Sequence, residues 1–237
     1  MSIRSVVRAF SVFDCFDSDS MQLTLHEISQ KLELPKSTTF RLVNTLVELG
    51  YLFQLSDQRY CISFKLLRLS SLVPSVLDIR EVAGPVIREL RDQTRETVSI
   101  SILNGVERIV LDVIESRSTL KSISSIGETV GLQTGSVGRV FLAFNPTLPL
   151  DEIYGDEGPP PTLEEELKQI RSQGYACSTG DRVPGSAGIS APILDQHNAW
   201  THCISIAGPE GRVVESQEEF SKFLVASAKR ISDRFGA

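Results

Sequence analysis

The sequence predicts a two-part α+β chain: a small helical domain closed by a hairpin, then helices set around antiparallel strands. Three observations predict it. The 237 residues exceed one typical domain. Apolar residues recur at helical spacing as far as Leu49, and a short alternating stretch follows. From Thr97 the period changes from 3.6 to two. No internal repeat is present.

The elements follow in order. Ser5 to Phe16 places Val6, Ala9, Phe10, Phe13 and Phe16 on one helical face. Thr24 to Leu32 is a second helix, opened by a capping box of Thr24 and Glu27. After the "ELP" turn a third helix begins, where Pro35 suits the first turn because its missing N–H costs nothing there. It runs to about Leu49 and stops at Gly50. "YLFQLSDQRYCIS" reads as a hairpin around Ser56-Asp57-Gln58. Helix, helix, turn, helix, hairpin is the order of a winged helix-turn-helix.

Ser63 to Leu77 reads as a connecting helix interrupted at Pro74, and Asp78 to Thr94 as an amphipathic helix bearing Val82, Val86 and Leu90. "TVSISIL" and "ERIVLDVI" alternate and meet across Asn104-Gly105 as a hairpin, and "LKSISS" supplies a third strand. The loop "GETVGLQTGSVGR" then gives way to the helical "VFLAF". Thr162 and Glu165 form a second capping box for a helix ending at Gly174. "GISAPIL", the turn "DQHN" and "AWTHCISIAG" add two strands, and Ser216 to Phe235 closes the chain as a helix.

Composition narrows the class. No apolar run approaches the roughly 20 residues of a membrane span, and the N-terminus lacks the h-region of a signal peptide. Cys15, Cys61, Cys177 and Cys203 are scattered without a CxxC pair, which argues against a zinc site or disulfides and for a reducing cytoplasm. Each reads as a small buried hydrophobe. The net charge of −6 looks unsuited to a polyanionic partner, but it is unevenly spread. Residues 1–66 hold seven Lys/Arg and seven Asp/Glu, so the whole deficit lies beyond them.

The third helix carries the chemistry. With Thr39, Leu42/Val43, Leu46 and Leu49 inward, the outer face presents Ser37, Thr38, Arg41, Asn44/Thr45 and Glu48, with Lys36 and Phe40 beside it. A recognition helix enters the major groove N-terminus first. Hydroxyls there can meet phosphate or base edges, Lys36 suits a phosphate, and Arg41 has the fork for guanine. Phe40 offers an apolar surface to a thymine methyl. The plainer alternative is that the hydroxyls only cap the helix and Arg41 is solvated. The capped helix before it, the turn and the hairpin after it favour DNA recognition. Further on, "LQTGSVGR" is a small-residue loop running into a helix. Backbone N–H groups at Ser136 and Val137 would cradle an anion, or the loop simply packs tightly on the sheet.

"LTLHEISQKLELPKSTTFRLVNTLVELGYL…RYCISFKLLRLSS", with the later "GETVGLQTGSVGRVFLAF", "IRSQGYA" and "GISAPILD", resembles IclR-type bacterial transcription regulators over nearly the full chain. The resemblance implies a winged helix-turn-helix in residues 1–63, a linker helix in 64–80 and a GAF-like effector-binding and oligomerisation domain in 81–237. It implies operator DNA and a small-molecule effector, an organic or aromatic acid, as partners of a homodimer or homotetramer. Gln58 and Arg59 would sit on the wing and reach backbone or minor groove. Arg4 and Arg8 of the first helix could add phosphate contacts or be ordinary surface charges. The effector pocket maps onto Val130, Ser136 and Val137, then Ser178, Gly188, Ser205 and Ala207.

This chain departs from the family pattern in "CSTGDRVPG", where acidic residues are frequent, at Gly188, where cysteine is frequent, and in the loop ending at Arg139. Gly188 is expected to leave space, and the loss of polar lining to favour a bulkier, more hydrophobic effector. An enzyme is the competing class. Only His26, His197 and His202 are available, and no G-x-S-x-G, HExxH or P-loop accompanies them, so no catalysis, cofactor or metal is expected. These residues do not distinguish repressor from activator.

Overall fold

The computed structural model describes residues 3–17, 20–70, 72, 74–194 and 199–235, so the expected "DQHN" turn with His197 lies outside the described residues. The chain forms two compact units, Met1–Pro74 and Ser75–Ala237.

In the first unit, α1 (Arg4–Phe10) is shorter than the apolar spacing predicts, and a 3-10 turn follows at Phe13–Cys15. Ser11 turns back to donate its hydroxyl to the Val7 carbonyl, which favours a helix end there. In α2 (Leu25–Lys31) the expected capping box is present: Glu27 N donates to Thr24 Oγ1 at 3.3 Å and Thr24 N to Glu27 Oε2 at 2.7 Å. After Pro35, α3 runs Lys36–Glu48 and ends at Gly50, whose φ of +75° suits a residue without a Cβ. Two backbone bonds close that end, Gly50 N to Val47 O and Tyr51 N to Leu46 O. Strands β1 (Leu52–Gln54) and β2 (Tyr60–Ile62) pair as the wing, and a bridge from Tyr60 to Leu23 ties it to the segment before α2. Val12, Ile28, Val43, Leu46 and Leu52 fill the core beneath.

The connecting helix is two helices. α4 covers Lys65–Ser70, and α5 opens at Pro74 and runs to Thr94. The proline starts a helix instead of interrupting one, since its absent N–H would be unpaired in a first turn anyway.

The second unit is a six-stranded antiparallel sheet with helices on both faces. Its strands are β3 (Thr97–Asn104), β4 (Glu107–Ile114), β5 (Thr129–Gly131), β6 (Ala176–Thr179), β7 (Ser186–Ile193) and β8 (His202–Pro209), in the order β5-β4-β3-β8-β7-β6. Alternation gives it two unlike faces. Val98, Ile100, Ile189, Ile193, Ile204 and Ile206 point to one side, against α5 and α10 (Gln217–Phe235). Burying each of these side chains is worth about 1.5–3 kcal/mol. The other side carries Ser99, Ser101, Ser178, Gly188, Ser190 and Ser205, matched across strands by register. Onto it descends α6 (Gly135–Phe144), backed by α7 (Leu150–Tyr154) and α8 (Leu163–Gln173), while α9 (Glu210–Glu215) precedes α10.

Several expectations need correction. The register pairs Asn104 with Glu107, so the hairpin loop is Gly105-Val106, one residue later than expected. "LKSISS" is not a strand: Leu120 and Ile123 stand exposed, and the edge position beside β4 is taken by β5, inside the expected loop. α6 starts at Gly135, also inside that loop. Ala176–Thr179 was expected only as a turn exit and is a strand. Thr162 makes no capping bond, because its φ/ψ of −86°/−7° is helical and not the extended geometry an N-cap needs. Leu49, expected inward, is 54% exposed just past the end of α3.

Close approach of α6 to the chain before it depends on Gly138. A Cβ there would lie 2.1 Å from the Leu132 carbonyl oxygen, and backbone cannot swing aside. Gly138→Ala is expected to cost about 1–3 kcal/mol by overpacking. A lowered denaturant midpoint for the second unit, with the helical signal of the first retained, would show it.

Candidate functional site

The outer face of α3 is built by its packing. Thr39 and Val43 are fully buried and Leu46 nearly so, which turns Ser37, Arg41, Asn44, Thr45 and Glu48 outward and leaves Thr38 half-buried. Thr39 donates its hydroxyl to Pro35 O, as expected of an inward-turned residue. Thr45 donates to the Arg41 carbonyl at 2.8 Å, so its oxygen stays free to accept. Asn44 is held by Glu48 at 2.7 Å. Phe40 is half exposed, an unusual position for a phenyl ring on a polar face.

Basic side chains divide into two kinds. Among the described residues, Arg4, Arg8, Lys36 and Arg41 form no ion pair, so their charges are available to an anionic partner. Arg59 on the wing is held by Asp57, with Nε 2.7 Å and the terminal nitrogen 2.6 Å from Oδ2. The Arg59 bonds keep the Asp57 carboxyl below its ordinary pKa. Gln58 stands at the tip with a φ of +67° and accepts a bond from Gln54.

In the second unit the hydroxylated sheet face and α6 enclose a cavity of about 70 Å³. Of the residues that the resemblance maps to an effector pocket, Ser136, Val137, Ser178, Gly188, Ser205 and Ala207 line this cavity and Val130 does not. Val130 pairs with Arg108 across β4 and β5, and it is the Arg108 side chain that reaches the cavity. Serines bind the walls together. Ser136 Oγ and Ser190 Oγ are 2.7 Å apart, Ser99 Oγ and Ser205 Oγ 2.8 Å, and Ser136 N donates to Ser178 Oγ at 2.8 Å. One of the two backbone donors expected to cradle an anion is therefore already engaged.

Two further expectations change. Gly188 does not leave space, since a Cβ there would lie 3.0 Å from Ser136 Oγ; it lets α6 come close. The lining is mixed: Ser99, Ser136, Ser178, Ser205 and Arg108 share it with Ile123, Val137, Val183 and Ile206. Arg108 is 5% exposed and donates to Ser101 Oγ at 3.2 Å. Its Nε has no partner among the described residues. Burial, and then the charge of Arg182, pull its pKa below the ordinary guanidinium value. At the mouth Arg182 pairs with Glu128, and Asp181, Val183 and Ile123 complete the rim. In the sequence Arg108 is marked by a charge inside the apolar run "ERIVLDVI".

His202 is structural. It is buried, shares a hydrogen bond between Nδ1 and Thr201 Oγ1 at 2.9 Å, and sits edge-on to Phe235 with ring centroids 5.1 Å apart. Among the described residues no group of three His, Cys, Asp or Glu is placed to hold a metal, and no helix is long and apolar enough to cross a membrane.

A helix pair with a wing in one unit and a cavity-bearing antiparallel sheet in the other define a winged helix-turn-helix protein with a second, α+β domain. Comparison with known proteins gives the family. The IclR helix-turn-helix domain matches residues 5–56, and the C-terminal region of the bacterial transcriptional regulator IclR matches residues 72–233. The chain belongs to the IclR family, whose members are transcription regulators and not enzymes. It is 29% identical to the regulator KipR of Bacillus subtilis, across 98% of this chain and 97% of that one. To KdgR of Dickeya chrysanthemi it is 27% identical, across 99% and 81%. Among solved structures, Thermotoga maritima IclR superimposes with a TM-score of 0.76 at 26% identity, covering all of both chains. An IclR homologue of Microbacterium hydrocarbonoxydans, complexed with 4-hydroxybenzoate, gives 0.85 at 21% identity over 98% of each.

Two thiols of the second unit are shielded by packing, Cys177 against the isoleucine side of the sheet and Cys203 in the core under α6. Burial pushes Cys203 up to about 12 and Cys177 to about 11. A disulfide reagent at pH 8 should leave both unmodified in the folded protein while reaching them after denaturation. Rapid labelling of Cys203 in the native state would contradict its placement.

Proposed function

We propose that the chain reads its operator through the outer face of α3 and is switched by a small molecule held in the cavity between α6 and the sheet. It is a DNA-binding transcription regulator by family. The observation that carries the residue assignment is the unpaired state of Lys36 and Arg41 on a helix whose inward face is fully packed. Ser37, Thr38, Phe40 and Thr45 are the neighbouring contacts in this reading, with Gln58 on the wing and Arg4 and Arg8 on α1 as phosphate ligands. Arg59 takes part only by releasing Asp57.

The effector would contact Ser136, Val137, Ser178, Gly188, Ser205 and Ala207, and Val130 is set aside because it is not part of the lining of this cavity. A bound molecule shifts operator affinity only through its different affinity for two arrangements of the oligomer. Exposed Val6, Val7 and Phe10 on α1, and Leu67 and Leu69 on α4, support a homodimer or larger assembly, since apolar side chains clustered on short helices call for a partner surface. A cytoplasmic location accords with this reading.

Operator binding measured against salt tests the assignment. Arg41→Ala should cost about 1–3 kcal/mol and relax preference at one base position. Lys36→Ala should weaken every sequence alike and reduce the salt slope by about one phosphate. If both variants bind as the wild type does, α3 is not the reading helix.

A further inference from the structure

We infer that Arg108 is the charge-recognition residue of this cavity: the effector is a carboxylate that places its anion against the guanidinium. This rests on reading the cavity as the effector site, and adds a residue that the family resemblance did not supply.

Arginine inside a protein nearly always finds an acidic partner, because desolvating the charge is costly. Arg108 finds none. It is 95% removed from solvent, no carboxylate lies within ion-pair distance of it among the described residues, and its one bond goes to the neutral hydroxyl of Ser101. Glu128, a nearby negative charge, is already taken by Arg182. Nε has no partner among the described residues, and the side chain forms part of the cavity wall. A guanidinium in this state has its desolvation cost already met and its fork geometry ready for a carboxylate. Ser99 and Ser205, bonded to each other in the same cavity wall, give the rest of the ligand hydroxyls to meet.

Thermal unfolding of the full chain tests this in two ways. The first needs no ligand. If Arg108 awaits an anion, Arg108→Met relieves an uncompensated charge, and the free variant should melt about 2–4 °C above the wild type. If the variant melts lower, Arg108 is a structural brace and the inference fails. The second uses millimolar glycolate, lactate, succinate and 4-hydroxybenzoate beside their amides. At least one acid should raise the wild-type melting temperature while its amide does not. Arg108→Met should abolish that rise and Arg108→Lys keep part of it. Equal stabilisation by acid and amide, persistence of the rise in Arg108→Met, or no response to any acid would each overturn the inference. Operator binding on the same samples separates this from the functional reading: an acid that binds through Arg108 but leaves DNA affinity unchanged sinks regulation through the cavity and leaves the role of Arg108 standing.

Discussion

α6 lies directly on a sheet face made of serine and glycine, and the second unit is organised around that contact. Large side chains on β6, β7 and β8 would hold the helix at an ordinary distance. Ser178, Gly188, Ser190 and Ser205 let it descend until Ser136 bonds to Ser190 and its own N–H meets Ser178. Gly138 then comes so near Leu132 that no side chain fits. Arg139 fixes the same helix laterally, with Nε 3.1 Å from both Glu166 oxygens of α8, and Arg171 donates to the Ala143 carbonyl at its far end. The cavity is the space left where this close contact opens toward β3 and β4. Its polarity follows from its origin, because the residues small enough to admit the helix here are mostly hydroxyl-bearing.

The first unit was largely legible from sequence because its signals are local. Thr24 with Glu27, Pro35 and Gly50 each act within a few residues; the capping box and the glycine stop stand where spacing put them, and Pro35 is the N-cap, one residue ahead of the first turn. Errors there came where a local competitor was overlooked, as when Ser11 bonds back to Val7 and ends α1 early. The strands β7 and β8 were equally clear, since Ile189, Ile193, Ile204 and Ile206 alternate with small residues.

Sequence failed where structure depends on distant partners. "LKSISS" alternates like a strand, but β4 has one free edge and Thr129–Gly131 occupies it. β6 is short and polar and becomes a strand only because β7 offers it an edge. In the site, six of the seven expected effector contacts line the cavity, yet its character was misjudged. Gly188 and the neighbouring substitutions suggested room and apolarity. Ser136, Ser178 and Ser205 lie in the segments that carried the resemblance, whereas Ser99 and Arg108 add polar groups from strands outside them.

The two-faced sheet also bears on how stability varies with temperature. Exposing apolar surface raises the heat capacity of unfolding, whereas exposing polar surface lowers it, by about 0.45 and 0.26 cal/K/mol per Å² respectively. Every serine buried beneath α6 offsets part of the increment from the isoleucines on the opposite face. The second unit therefore has a shallower stability curve than a sheet of this size with apolar side chains on both faces. A domain built this way keeps a more even margin between cold and warm conditions, at some cost to its greatest stability.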